Sequence, residues 1–225
     1  MGIHIMAPFY KLVMPEAKQA IFYPSLDGRV GFEAVGTWAE VRDGLGDHHE
    51  DVGNAMDVQI RTSAIANRFF NFYRMIFLFD ISGLCPLTVR KATISLYGVI
   101  KSNNLVGNPA ISIFESNPAS NIALADADYS SLGTAPLANI ISFASFVLLD
   151  MNVFTLNAAG RALLQAAANR DGIVKLGARE ANYDAPDNEP AWHDGANPTS
   201  SFDVWTIEKG GIHRPYLTLD YVKLP

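Results

Sequence analysis

Along most of the chain, apolar and polar residues alternate with a period of two, the pattern of strands that bury one face. In 56–61, Val58 and Ile60 fall on one side and Asp57, Gln59 and Arg61 on the other. In 92–97, Ala92, Ile94 and Leu96 point inward and Thr93, Ser95 and Tyr97 outward. The stretch 74–80 is apolar on both sides between Arg74 and Asp80, which predicts a central strand covered on both faces. Further strands are predicted at 19–23, 29–33, 110–115, 140–148, 172–176, 201–207 and 216–222. Turn-forming pairs separate them, among them Asp27-Gly28, Asn108-Pro109, Asn117-Pro118 and Gly210-Gly211. Many short strands punctuated in this way predict an all-β fold, an antiparallel jelly-roll β-sandwich.

One helical segment breaks the pattern, over about 157–169. Asn157 is its cap and Gly172 stands just beyond its end. Arg161, Gln165 and Asn169 share the predicted wet face, while Ala159, Leu163, Ala166 and Ala167 line the dry one. Residues 178–201, rich in Asn, Asp, Pro and Gly, read as a long surface loop. No internal repeat or linker divides the sequence. The expected organisation is an N-terminal arm, 1–18, followed by a single domain, 19–225.

Composition narrows the classes. Of 225 residues, 49% are hydrophobic, 11% aromatic and 18% charged, which excludes disorder. With 17 basic against 23 acidic side chains the net charge is −6 and the pI about 5.3, so the basic field that nucleic-acid binding needs is missing. The apolar run that starts at Ile140 stops at Asp150, too short to cross a bilayer, and no membrane insertion is expected. A lone Cys85 excludes an intramolecular disulfide framework. The N-terminus has neither a basic n-region nor a long apolar h-region, and Met6 stands where a myristoylation signal needs Ser or Thr.

Two stretches carry a wider similarity. Arg74–Asp80 followed by Ile81-Ser82-Gly83-Leu84, and then Val89-Arg90-Lys91-Ala92-Thr93-Ile94-Ser95-Leu96-Tyr97, approximate the order R-x-F-x-F-D-x-S-x-L and I-x-x-A-x-L-x-L-Y, with one more residue between Arg74 and Phe77 and with Val89 and Ile94 at the first Ile and Leu. Phe154-Thr155-Leu156-Asn157 before the helix and Arg214-Pro215-Tyr216-Leu217-Thr218-Leu219-Asp220-Tyr221 at the end follow the same scheme. The chain here resembles the DNRLRE-type jelly-roll modules, relatives of some carbohydrate-binding modules, over about residues 20–222. It departs from them at Cys85-Pro86-Leu87 and lacks an N-R-x-R-type signature. The resemblance implies a jelly roll, of a kind carried by phage and environmental proteins.

Three groups of residues hold candidate chemistry. Asp47-His48-His49-Glu50-Asp51 offers nitrogen and oxygen ligands to a transition metal, against the alternative of a solvated loop after Gly44 and Gly46. Asp184, Asp187, Asn188, Glu189, His193 and Asp194 surround Trp192 and could hold Ca²⁺, although the Asp-x-Asp-x-Asp-Gly spacing of a dedicated calcium loop is missing. Trp38, Trp192 and Trp205, with the tyrosines, could stack on sugar rings, since amphipathic rings suit half-wet faces. Ser63, Ser82 and Ser95 sit in no Gly-x-Ser-x-Gly elbow, and Cys85 has no neighbouring histidine.

The expectation is therefore a non-enzymatic structural or interaction protein, with no required cofactor. The specific form is a phage virion component (head decoration, fibre or tail protein) in a homo-oligomer or virion lattice. Its assembly segment would be the apolar arm bearing Ile3, Ile5, Phe9, Tyr10 and Leu12, adding a strand to a neighbour's sheet edge or filling its groove. The alternative is a carbohydrate-binding module or a cell-surface adhesion domain with glycan partners, placed outside the cell.

Overall fold

Strand-forming stretches dominate because β-branched and aromatic residues recur at every second position. A computed structural model describes residues 16–105, 107–193 and 198–223. The expected assembly residues Ile3, Ile5, Phe9, Tyr10 and Leu12, and the candidate ligand Asp194, lie outside the described residues. The first half contains β1 (Lys18–Phe22), β2 (Leu26–Phe32), α1 (Trp38–Asp43), β3 (His48–Glu50), β4 (Ala55–Thr62) and β5 (Phe69–Asp80). There follow β6 (Leu87–Asn103), β7 (Ala110–Glu115), β8 (Ile141–Ser142) and β9 (Met151–Thr155). The chain ends with α2 (Ala158–Ala168), β10 (Ile173–Glu180), β11 (Thr199–Trp205) and β12 (Tyr216–Lys223).

The strands form one curled twelve-stranded sheet, in which every pairing is antiparallel. Its main path runs β1-β12-β6-β11-β4-β5-β10-β7-β8, with β2 and β3 added beside β5 and β9 beside β6. β6 joins the two halves: it pairs with β12 from Leu87 to Ser95, with β9 from Thr93 to Tyr97, and with β11 from Gly98 to Asn103.

Curling places a large apolar core between the halves. Ala92, Ile94 and Leu96 of β6 and Leu217 and Leu219 of β12 share it with Phe77 and Phe79 of β5 and Leu176 of β10. The predicted inward residues Ala92, Ile94 and Leu96 are thus buried, but so is Ser95, which was expected to point outward. A second core lies around Phe72, Ile76 and Leu78 of β5, Val30 of β2 and Trp38 and Val41 of α1. β5 serves both cores, which is why its sequence is apolar on both sides.

Several expectations are corrected. The stretch 140–148 is strand only at Ile141–Ser142; the strand of this region is β9. Asn152 explains the shift, because its amide accepts from Val147 N at 2.8 Å and donates to Val147 O at 2.9 Å, folding the preceding segment back as a loop. A second helix, α1, stands where none was expected, closed by a Thr37–Glu40 capping box. His48–Glu50 is a strand paired with β2 rather than a free loop. Residues 178–201 are not all surface loop, since β10 extends to Glu180 and Asp184 is fully buried.

The helix α2 begins where expected, with Asn157 Oδ1 accepting from Gly160 N at 3.0 Å. Its buried face is Gly160, Leu164, Ala167 and Ala168, about one residue round from the expected stripe, so Ala159 and Ala166 are exposed. Gln165, assigned to the wet face, turns inward and bonds Val89 N and Leu87 O at 2.9 and 2.7 Å, covering the start of β6.

Candidate functional site

At one end of the β1-β12-β6-β9 half, an open groove of about 420 Å³ is lined by Ile21, Tyr23, Tyr97, Asp150, Arg214 and Tyr216, among others. Sheet register builds it. Tyr216 is paired with Ser95, and Tyr97, two residues on and so on the same face of β6, is paired with Met151. The register that sets Phe22 against Leu217 brings Tyr23 alongside Tyr216. Outward alternation in 92–97, read from the sequence for Tyr97, is what points its ring at the groove.

The far wall is a turn rather than a strand. Gly210 and Gly211 have φ of 71° and 61°, a left-handed backbone that glycine adopts without strain. They swing Ile212–Arg214 over the groove. The Arg214 guanidinium stacks 3.8 Å above the Tyr23 ring, and His213 meets Tyr97 edge-on with centroids 4.7 Å apart. Ile21 is 54% exposed, Tyr23 44% and Ile212 79%, a concentration of wet apolar surface on one rim. Ring faces, a carboxylate and a guanidinium on an open concave surface can stack on a ligand and hydrogen-bond its edge.

The tryptophans do not join this groove. Trp38 is 6% exposed, packed edge-on against Phe69 and Phe72 at 5.3 and 5.6 Å, and its indole N–H donates to Asp187 at 2.9 Å. It is a core residue, correcting the expected stacking role. Trp192 is half-buried and donates to Ser63 O at 3.1 Å. Trp205 is half-buried at the end of β11, with Lys209 Nζ 4.2 Å from its ring centre.

Nor do the candidate metal ligands converge: among the described residues no three His, Cys, Asp or Glu side chains meet in a metal-binding group. His48 Nδ1 faces Glu33 at 3.3 Å, while His49 Nδ1 bonds Asp126 at 2.7 Å. Asp187 faces Trp38 and Arg42, and Glu189 is exposed. Asp184 is buried and occupied by cations, which corrects its placement in a calcium loop. Arg74 reaches it through Nε at 2.9 Å and Nη2 at 2.7 Å, and Arg179 binds both its carboxylate oxygens as well as its carbonyl. The two guanidinium groups hold its carboxyl below the usual range despite burial.

Sequence reading missed a second polar stripe, on β2, β4 and β11. Arg29 bonds Asp57 at 2.7 Å and Glu50 at 2.9 Å. Burial, together with the nearby Asp57, pushes the Asp203 carboxyl up to about 6. Burial and the Glu208 charge push Asp27 up to about 8, although Ile207 N–H donates to it and pulls the other way. Two expectations are corrected with it: Asp27, expected in a turn, lies inside β2, and Asp57, expected on the polar face of 56–61, is buried.

Among the described residues no helix is long and apolar enough to cross a membrane. No protein-family model matches the chain, and no curated protein matches it.

Proposed function

We propose that the chain is a non-enzymatic interaction protein, a module of the jelly-roll type that takes a carbohydrate in the tyrosine groove. The observation that carries this reading is the juxtaposition of Tyr23, Tyr97 and Tyr216 with Asp150 and Arg214 around one open concavity. Pyranose rings present an apolar C–H face and a polar rim; aromatic faces match the first and charged side chains the second. The resemblance to modules related to carbohydrate-binding domains points the same way. A glycan array followed by titration calorimetry tests it: Tyr97→Ala should lose the retained glycan at least tenfold while the protein stays folded. A blank array, or retention unchanged in Tyr97→Ala, rejects it.

A second reading, a virion component assembled through protein contacts, is favoured by the β1 edge. Among the described residues β1 pairs only with β12, which leaves one row of backbone donors and acceptors for an added strand. Light scattering of the full chain and of a form lacking residues 1–15 tests assembly by the arm. A smaller particle on deletion supports it, and an unchanged size rejects it.

A further inference from the structure

Asp57 of β4 and Asp203 of β11 stand directly opposite each other in the strand pairing. Directly opposed side chains on neighbouring antiparallel strands have Cβ atoms about 4.5–5.5 Å apart, so two carboxylates here lie within mutual reach. The surroundings compensate them unequally. Arg29, reaching across from β2, bonds Asp57 and Glu50. Asp203 has the Ser201 hydroxyl, but its Oδ1 is buried and, among the described residues, has no hydrogen-bond partner. An ionised carboxylate oxygen in that position is costly, whereas a protonated one can donate to its neighbour.

The other charged and titratable groups facing the pair are Glu50 and His48 from β3 and Tyr73 from β5. On its other side, Asp203 faces Ile100 of β6, and the β6–β11 register shifts between Asp203 and Val204. With both aspartates and Glu50 ionised, three carboxylates share the single Arg29 guanidinium and the histidine of β3.

We infer that Asp57 and Asp203 form an acid-closed latch between β4 and β11, in which one proton taken up from solvent lets one carboxyl donate to the other. As the pH rises toward neutral the proton leaves, and two anions face each other across the seam. The fold is then tighter in mildly acidic surroundings than in alkaline ones, the reverse of a protein held by ionised carboxylates alone. Asp203, with the unpartnered oxygen, is the member that carries the proton in the latch.

The test is urea unfolding of the full chain between pH 5 and 8, for wild type and Asp203→Asn. The asparagine amide keeps a donor for Asp57 at every pH. Its share of the pH dependence should vanish: relative to wild type, the variant should gain about tenfold or more in folding equilibrium constant on going from pH 5 to pH 8. Because the comparison is a difference, titrating groups that do not interact with Asp203 cancel, and the change reports the Asp57–Asp203 pair. Parallel pH profiles for the two proteins overturn the latch. Carboxyl carbon NMR of the wild type gives a second reading that does not depend on the variant folding. An Asp203 midpoint above pH 5 supports the latch, and a midpoint near the ordinary carboxyl value of about 3.9 overturns it.

Discussion

Arg74 and Asp184, 110 residues apart in the chain, meet as a two-pronged buried ion pair, with contacts of 2.9 and 2.7 Å. Arg74 also donates to Tyr129 O and Arg42 O, and Arg179 donates to Leu132 O and Gly133 O. One carboxylate therefore ties β5, β10, α1 and the 126–133 segment together. Asp184→Ala should cost roughly 3–5 kcal/mol, because two buried guanidinium groups lose their counter-charge. The urea midpoint measures this. The exposed Glu189→Ala should change stability by less than about 0.5 kcal/mol. Because the folded carboxyl of Asp184 is depressed, its contribution is present above the unfolded value of about 3.9 and is lost as pH falls through the lower folded value.

Asp27 has the opposite sign. Its folded carboxyl is raised to about 8, so the folded state holds a proton that the unfolded state has already released. Stability from this group is present at acid pH and declines as pH rises from the ordinary carboxyl range through about 8. Asp27→Asn retains an acceptor for Ile207 N–H and carries no charge. It should raise the melting temperature at pH 8.5 by a few degrees, about 2–4 °C per kcal/mol for a chain of this size, and leave it unchanged at pH 4.

Gly160 lies inside α2, where alanine is ordinarily better by about 1 kcal/mol. A Cβ at this position would stand 2.6 Å from Leu137 O and 3.1 Å from Leu156 Cβ. Close approach outweighs propensity, and Gly160→Ala should lower the thermal midpoint. A rise would show that α2 can move off the 136–138 segment.

Asn157 serves two segments at once, accepting from Gly160 N and donating to Pro136 O at 2.8 Å. Asn157→Ala should cost about 1 kcal/mol in chemical denaturation. Asn157→Asp keeps the helix cap but loses the donor to Pro136 O, so its cost should be smaller.

The strands with clean alternation were legible in the sequence: Ala110–Glu115 was expected with the bounds it has, and 92–97 with its buried face. Cores recruit alternate residues, so periodicity reports them directly. What side-chain hydrogen bonds decide was not legible. Asn152 unmakes an apolar run as a strand, and the Thr37–Glu40 box starts a helix too short to show a period. Among the described residues the candidate metal and stacking groups do not come together, for a related reason. Neighbours in sequence, such as His48 and His49, point to different partners, whereas Tyr23, Tyr97 and Tyr216 meet only through register. Arg74 was legible only as the charged boundary of the 74–80 run, and nothing local named its buried partner Asp184.

β6 has a mechanical consequence. Its seventeen residues hydrogen-bond to β12, β9 and β11 in turn, so among the described strands it is the one that pairs with members of both halves of the sheet. Tension applied to either half loads this strand together with the chain connections that also join the halves, such as α2 between β9 and β10. No cut on either side of it leaves a fragment with its own closed set of partners, and because β5 lines both cores the two should yield in a single rupture rather than in succession.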